Sequence, residues 1–406
     1  MNNDRYQAAK NKVYELQIRC LSPLHIGNGQ FLKPPFDYIH FPQEQKLGLV
    51  DLNKLAEALG IYRLAEVNDL VNVIDQGAGA LSQFLKQRDV FNSSRICSRQ
   101  IDLPDNIRDL DYRPSRNELK EQLHLLHFGQ LFPALPGSSL KGSLRTALFA
   151  TAILNEEVDL FNNGGLLKNR RGRMSDRQLQ EKIFGKDPNN DLLRLLQVGD
   201  AMFKTNTTVI KSRIINLYRD KWGEKFRQSS FWEVVPTASR ARVEIRIPSS
   251  LVKAIQNMRT PIMKASKIRL LQDHQALCLL INKHTLRLVQ NELDFWDAEG
   301  NPLPIGDYMP ALEKIEQTLL DLIDQQASSC ILRVGAGAGW ESMTGGWAAA
   351  YTKNDEEVLS QRDWLAVKRN SRRGRYPDEL LFPKTRKLNE NGIPTGFLEL
   401  NWELKR

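Results

Sequence analysis

The chain has 406 residues, long for one domain and suited to two, or to one core with large insertions. Hydrophobic residues at 41% suffice for a core, and Lys plus Arg exceed Asp plus Glu by 57 to 48, so the net charge of +9 favours a polyanionic partner. Four unspaced cysteines (Cys20, Cys97, Cys278 and Cys330) exclude a zinc knuckle and a disulfide framework; with no apolar leader or membrane-length run, a cytoplasmic protein without metal, cofactor or membrane partner is expected.

Residues 13–21 alternate, with Tyr14, Leu16, Ile18 and Cys20 on one face and Glu15, Gln17 and Arg19 on the other, predicting a half-buried strand. A turn-rich loop, Leu21 to Gly29, follows. A hairpin is predicted from Phe36–Phe41 and Leu47–Val50, and then a helix over Leu52–Leu59 capped by Asp51. Residues 60–130 read mostly as helices and polar connections, with an amphipathic piece near Leu119–Phe128. His124 and His127 would share a helical face there, without an acidic or cysteine partner at ligand spacing.

The stretch 133–154 is the most informative. Pro136-Gly137 leads into Ser138 and Ser139, either of which suits a helix cap, and Leu140, Leu144, Leu148 and Leu154 fall on one face. Lys141 and Arg145 sit where the helix dipole disfavours cations, so an anion at that helix start would bring N–H groups, hydroxyls and cations together. The bland alternative is an ordinary capped helix with solvated basic residues.

Further along, Val198–Phe203 and Ala241–Ile247 read as strands. Between them, 204–235 mixes cations with aromatic residues, including Arg213 and Trp222, and suggests an extended arm that stacks on bases and tracks a phosphate chain. Residues 251–326 are helical in character, with Leu312, Ile315, Leu319, Leu322 and Ile323 on one face. Cys330–Val334 reads as a strand that runs into Gly335, Gly337 and Gly339, and Phe397–Leu404 closes the chain as another. Such glycines let backbone N–H groups approach phosphate, although a simple strand-exit turn reads the same way. Two basic runs, 168–177 with five cations and 362–375 with six, suit loops that order on a polyanion. Strands separated by helices give an α+β class.

Four strings, in order, resemble the CRISPR-associated RAMP proteins. They are Ser22-Pro23-Leu24-His25-Ile26-Gly27-Asn28-Gly29, the Pro136–Arg145 helix start, Val198-Gly199-Asp200-Ala201, and the loop Arg333–Trp340. Phe382-Pro383-Lys384-Thr385-Arg386 followed by Pro394–Leu400 is similar to the ending of the fifth subunit type of type III-A (Csm) effector complexes. The resemblance implies a RAMP fold with a ferredoxin-like (RRM-like) β-α-β core, helical insertions and a glycine-rich C-terminal loop. The expected core domain is 1–250, carrying the insertion (about 60–130) and the arm, and 251–406 holds a helical segment and the C-terminal strands.

It also implies a non-catalytic subunit of an antiviral ribonucleoprotein that binds the guide crRNA, caps the backbone filament at the crRNA 3′ end and supports crRNA maturation. Its partners would be crRNA, other Csm subunits (chiefly the backbone RAMP filament subunit and the small helical subunit), host trimming nucleases and, indirectly, target RNA. The RNA-binding residues expected are His25, Gly27, Ser138, Ser139, Lys141, Arg145, Arg213, Trp222, Gly335, Gly337 and Gly339. Two catalytic alternatives stand beside this reading. His25 could act as general base of a metal-independent repeat endoribonuclease, and Asp37 could support metal-dependent cleavage of target RNA.

Overall fold

The computed structural model describes residues 11–33, 37–104, 107, 122–155, 161–162, 165–166, 177–218, 221–224, 230–257, 265–299, 306–342 and 385–405. The basic runs fall outside these residues, apart from Arg177.

β1 (Lys12–Cys20) alternates as expected, burying Tyr14, Leu16, Ile18 and Cys20. Gly27-Asn28-Gly29, expected in a loop, instead opens β2 (Gly27–Leu32). The hairpin forms as β3 (Tyr38–Phe41) and β4 (Lys46–Val50), and Asp51 caps α1 (Leu52–Leu59) by accepting the Asn53 and Lys54 N–H groups. α2 (Leu64–Asp75), α3 (Ala78–Gln87) and α4 (Ser93–Ile96) follow, then β5 (Cys97–Asp102) and β6 (Leu123–Leu126). The amphipathic piece near Leu119–Phe128 is therefore a strand where it is described, and His124 and His127 share no helical face. Its short apolar run fits either period, and pairing between neighbouring strands decides the matter.

β7 (Ala134–Leu135) precedes α5 (Gly137–Leu154), the predicted motif helix. β8 (Phe161–Asn162), β9 (Gly165–Leu166) and α6 (Arg177–Phe184) come next, then a 3₁₀ turn at Leu192–Leu195. The strand expected over Val198–Phe203 is two short pieces, β10 (Gln197–Val198) and β11 (Ala201–Met202), broken at Gly199-Asp200. The predicted arm is sheet: β12 (Thr208–Tyr218), β13 (Lys221–Glu224) and β14 (Ser230–Val234). Two of its aromatic residues, Phe231 and Trp232, serve packing, since both are buried.

β15 (Arg240–Ile247) pairs with β1. α7 (Ser249–Gln256), α8 (Ala265–Gln272), α9 (His274–Glu299) and α10 (Tyr308–Asp324) form the helical region, and β16 (Ser329–Arg333), β17 (Thr385–Leu388) and β18 (Phe397–Leu404) complete the fold.

Two sheets organise these elements into an α+β architecture. The first has order β10-β15-β1-β18-β16 and draws strands from both sides of residue 250, so the expected boundary there runs through a single sheet. Its apolar face packs on Leu140, Leu144 and Leu148 of α5 and on Leu277 and Ile281 of α9. The second sheet runs β2-β6-β14-β12-β5-β4-β3, with β13 and β17 also paired to β12. α9 seals the β16 edge with side chains. Asn282 donates to the Ser329 carbonyl (3.0 Å) and accepts the Ile331 N–H (2.9 Å), and the Thr285 hydroxyl donates to the Ile331 carbonyl (2.7 Å). Such bonds use up groups that would otherwise template another strand. Among the described residues, no helix is long and apolar enough to cross a membrane.

Candidate functional site

The first string wraps the fourth. His25 is buried between the sheets, its Nδ1 2.7 Å from the Glu233 carbonyl oxygen and its ring stacked on Trp232 at 4.8 Å. Burial lowers its pKa to about 4, so the imidazole is neutral. The His25 carbonyl accepts the Ala336 N–H (2.9 Å), which fastens the glycine-rich loop to the loop after β1. Gly335, at φ 89°, sits so close that an added Cβ would lie 2.5 Å from the His25 oxygen. Beneath them Glu233 is fully buried and satisfied: Arg99 grips it with two nitrogens, and the Thr207 hydroxyl (2.7 Å) and Leu126 N–H (3.1 Å) donate to it.

The second and third strings also join. Neither Ser138 nor Ser139 caps α5; Pro136 holds the cap position, and the Gly137 N–H donates to Asp200 Oδ1 at 2.7 Å. Gly137 fits because a Cβ there would collide with the Val198 and Gly199 carbonyl oxygens. The anion that the sequence seemed to demand at this helix start is thus partly internal. Arg145 likewise has its own counter-charge. It donates to Asp191 (2.7 Å) and Gln180 (3.2 Å) and lies over the Phe184 ring at 4.0 Å. Lys141, one turn earlier on the same flank, is half-buried and feels both Asp191 and Arg145.

Ser143 is two residues from each cation, close to the opposite side of the helix. It lines a cavity of about 260 Å³ together with the glycine-rich loop at Gly337, Gly339, Trp340, Glu341 and Ser342. The structure therefore brings α5 and the loop to one concavity, but through serine rather than through Lys141 and Arg145. The floor is an ion pair from the C-terminal string. Arg386 of β17 donates to both oxygens of Glu292 (2.7 Å each), and Tyr308 (2.6 Å) and Trp296 (2.7 Å) donate to the same carboxylate. Arg333 donates to the Thr395 and Gly337 carbonyls (3.1 Å each), locking the loop's base. Glu341 is half-buried, and desolvation together with nearby Glu292 pushes its carboxyl up to about 7.

Lys387 was missed in the sequence. On β17 the buried Arg386 and Leu388 flank it, so it emerges on the other face, also lines the cavity, and holds its ammonium over the Trp232 ring at 5.2 Å. The alternation of residues 385–388 carried that signal.

The remaining expected residues lie apart from this concavity. Gly27 pairs with Leu126 at the start of β2. Arg213 of β12 donates to the Glu390 carbonyl at 3.0 Å, and Trp222 pairs with Leu217 across the β12–β13 ladder. The Asp37 carboxylate accepts the Lys33 N–H at 2.9 Å.

A family model described as the RAMP superfamily matches residues 17–342. A CRISPR system protein, Csm5 of Enterococcus italicus, is 27% identical over 168 residues, which is 37% of this chain and 46% of that protein, so the match spans under half the relative's length. A chain in a cryo-EM structure of a Csm–crRNA–target RNA ternary complex of a type III-A CRISPR-Cas system superposes with a TM-score of 0.64 at 18% identity, covering 96% of this chain and 100% of that one. The crystal structure of T. onnurineus Csm5 superposes with a TM-score of 0.61 at 18% identity, over 94% and 99%. At such identities the structural likeness establishes the fold.

Proposed function

The chain belongs to the RAMP superfamily, and from that membership we propose that it is a non-catalytic crRNA-binding and assembly subunit of a type III-A (Csm) effector complex. In this role it caps the backbone filament at the crRNA 3′ end and shields the RNA from trimming nucleases during maturation. Likeness to Csm5 over part of the chain, and to Csm structures over nearly all of it, supports the assignment.

The observation that carries it is the meeting of α5 and the glycine-rich loop at one concavity rimmed by Ser143, Gly339 and Lys387. Hydroxyls and backbone N–H groups there suit phosphate oxygens, and Lys387 adds the charge. Contacts of this kind ignore base identity, as a subunit that must accept any guide requires.

The general-base alternative draws less support. His25 is 3% exposed, its Nδ1 is engaged, and with a pKa of about 4 it is a weak base at neutral pH. The Asp37 carboxylate is engaged by the Lys33 N–H.

The test is affinity purification of the chain from its host, with identification of companion proteins and sequencing of the bound RNA. Expected are further Csm-type subunits and RNA fragments sharing repeat-derived 5′ ends with varied 3′ parts. Recovery of neither contradicts the assignment. Uncut repeat precursor accumulating in a His25→Ala strain would favour the endoribonuclease instead.

A further inference from the structure

We propose that the cavity between α5 and the glycine-rich loop receives a single nucleobase turned out of the RNA strand, while the phosphates on either side lie on the rim. This rests on the RNA-binding reading above and assigns the interior of the site.

The cavity, about 260 Å³, falls below the usual range of pockets for whole small-molecule ligands, about 300–1,000 Å³, and suits one planar ring. Its lining holds both kinds of group that reading an unstacked base requires, rings and apolar groups to stack on and hydrogen-bonding groups for the base edge. Trp340, Tyr308 and Phe397 supply the first kind, and Ser143, Ser342 and Glu341 the second.

Below, Arg386 and Glu292 neutralise each other, Tyr308 closes the carboxylate, and Arg333 spends donors on the Thr395 and Gly337 carbonyls. Serine hydroxyls donate or accept according to need. Glu341, with its pKa raised to about 7, also presents both a donor and an acceptor oxygen near neutral pH. An edge of that kind fits any of the four bases, in keeping with a variable guide. At the mouth, Gly339 has no atom within 4 Å of where a Cβ would stand, which leaves open space for the strand's backbone.

The experiment measures equilibrium binding of the full chain to two oligomers of equal length and charge, one of uridines and one of abasic ribose-phosphates. Wild type is expected to bind the uridine oligomer more tightly, and Ser143→Phe, which fills the cavity, to shrink that gap by about tenfold. Far-UV circular dichroism and urea unfolding matching wild type certify the fold of the variant. An unchanged gap in a folded variant overturns the base pocket and leaves RNA binding standing. Failure of wild type to bind either oligomer overturns the RNA-binding reading itself, and the pocket with it. Should Ser143→Phe not fold, 4-thiouridine photocrosslinking of wild type decides. Crosslinks in Trp340–Ser342 are expected, and crosslinks confined to other peptides contradict the proposal.

Discussion

Asp200 accepts the backbone N–H of Gly137 at 2.7 Å, so the carboxylate of one sequence string caps the helix of another. Residues 63 positions apart thus join two strings into one structural unit, and the cations of α5 stand near another carboxylate the fold supplies, Asp191. Replacing Asp200 with Ala is expected to destabilise the protein by about 1 kcal/mol in urea unfolding, and Asn to recover part of that loss. An Ala variant as stable as wild type would mean that the cap is dispensable.

Arg145 has the pairing of a structural residue. Its guanidinium is held by Asp191 and Gln180 and covers Phe184. Arg145→Ala is expected to cost about 1–3 kcal/mol of stability, through lost packing and hydrogen bonds, and to leave the salt dependence of RNA binding as in wild type. Stability unchanged with a shallower salt dependence would reverse the assignment.

The Glu292–Arg386 pair is buried and geometrically complete. Removing one partner strands a charge, so Arg386→Met is expected to destabilise by about 3–5 kcal/mol, while the double replacement Glu292→Leu with Arg386→Met recovers much of it. Thermal unfolding of the single and double variants checks this. Additive losses would contradict it.

His25 sets a pH dependence of definite sign. Its pKa falls from 6.5 to about 4 on folding, so below pH 6.5 the unfolded chain binds a proton that the folded chain refuses. Stability contributed by the neutral ring is complete above pH 6.5 and is lost as pH falls toward 4, by about 2 kcal/mol at pH 5. His284, lowered to about 4 by burial, acts in the same direction. Glu341 opposes them, because it keeps its proton to about 7 in the fold and loses it near 4.5 when unfolded, costing stability as pH rises between those values. Urea unfolding of wild type and His25→Asn at pH 7 and pH 5 is expected to show the smaller acid loss in the variant. Equal losses would contradict a neutral, buried imidazole.

Much of the fold was legible because its strands alternate and its caps are local. β1, β15 and β18 declare one buried face each, and Asp51 stands immediately before its helix. The errors share one physical origin: the deciding partner lies far away in sequence. Leu123–Leu126 is a strand because β2 and β14 flank it, and the supposed arm is sheet because β12 receives four partners, β5, β13, β14 and β17. At the site, the four strings located the right loops but not the right side chains. Periodicity would have set Ser143 opposite Lys141, yet only the fold reveals that Asp191 supplies the negative charge on that flank and that Asp200 caps the helix. Lys387 lay one position beyond a string read for its resemblance rather than for its alternation.

The most direct test of the RNA groove is the salt dependence of single-stranded RNA affinity for wild type and Lys387→Ala. A single lost phosphate contact is expected to reduce the slope of log affinity against log salt by about 0.7, the value for single strands, with protein stability unchanged. A slope identical to wild type would place the nucleic acid elsewhere on the molecule.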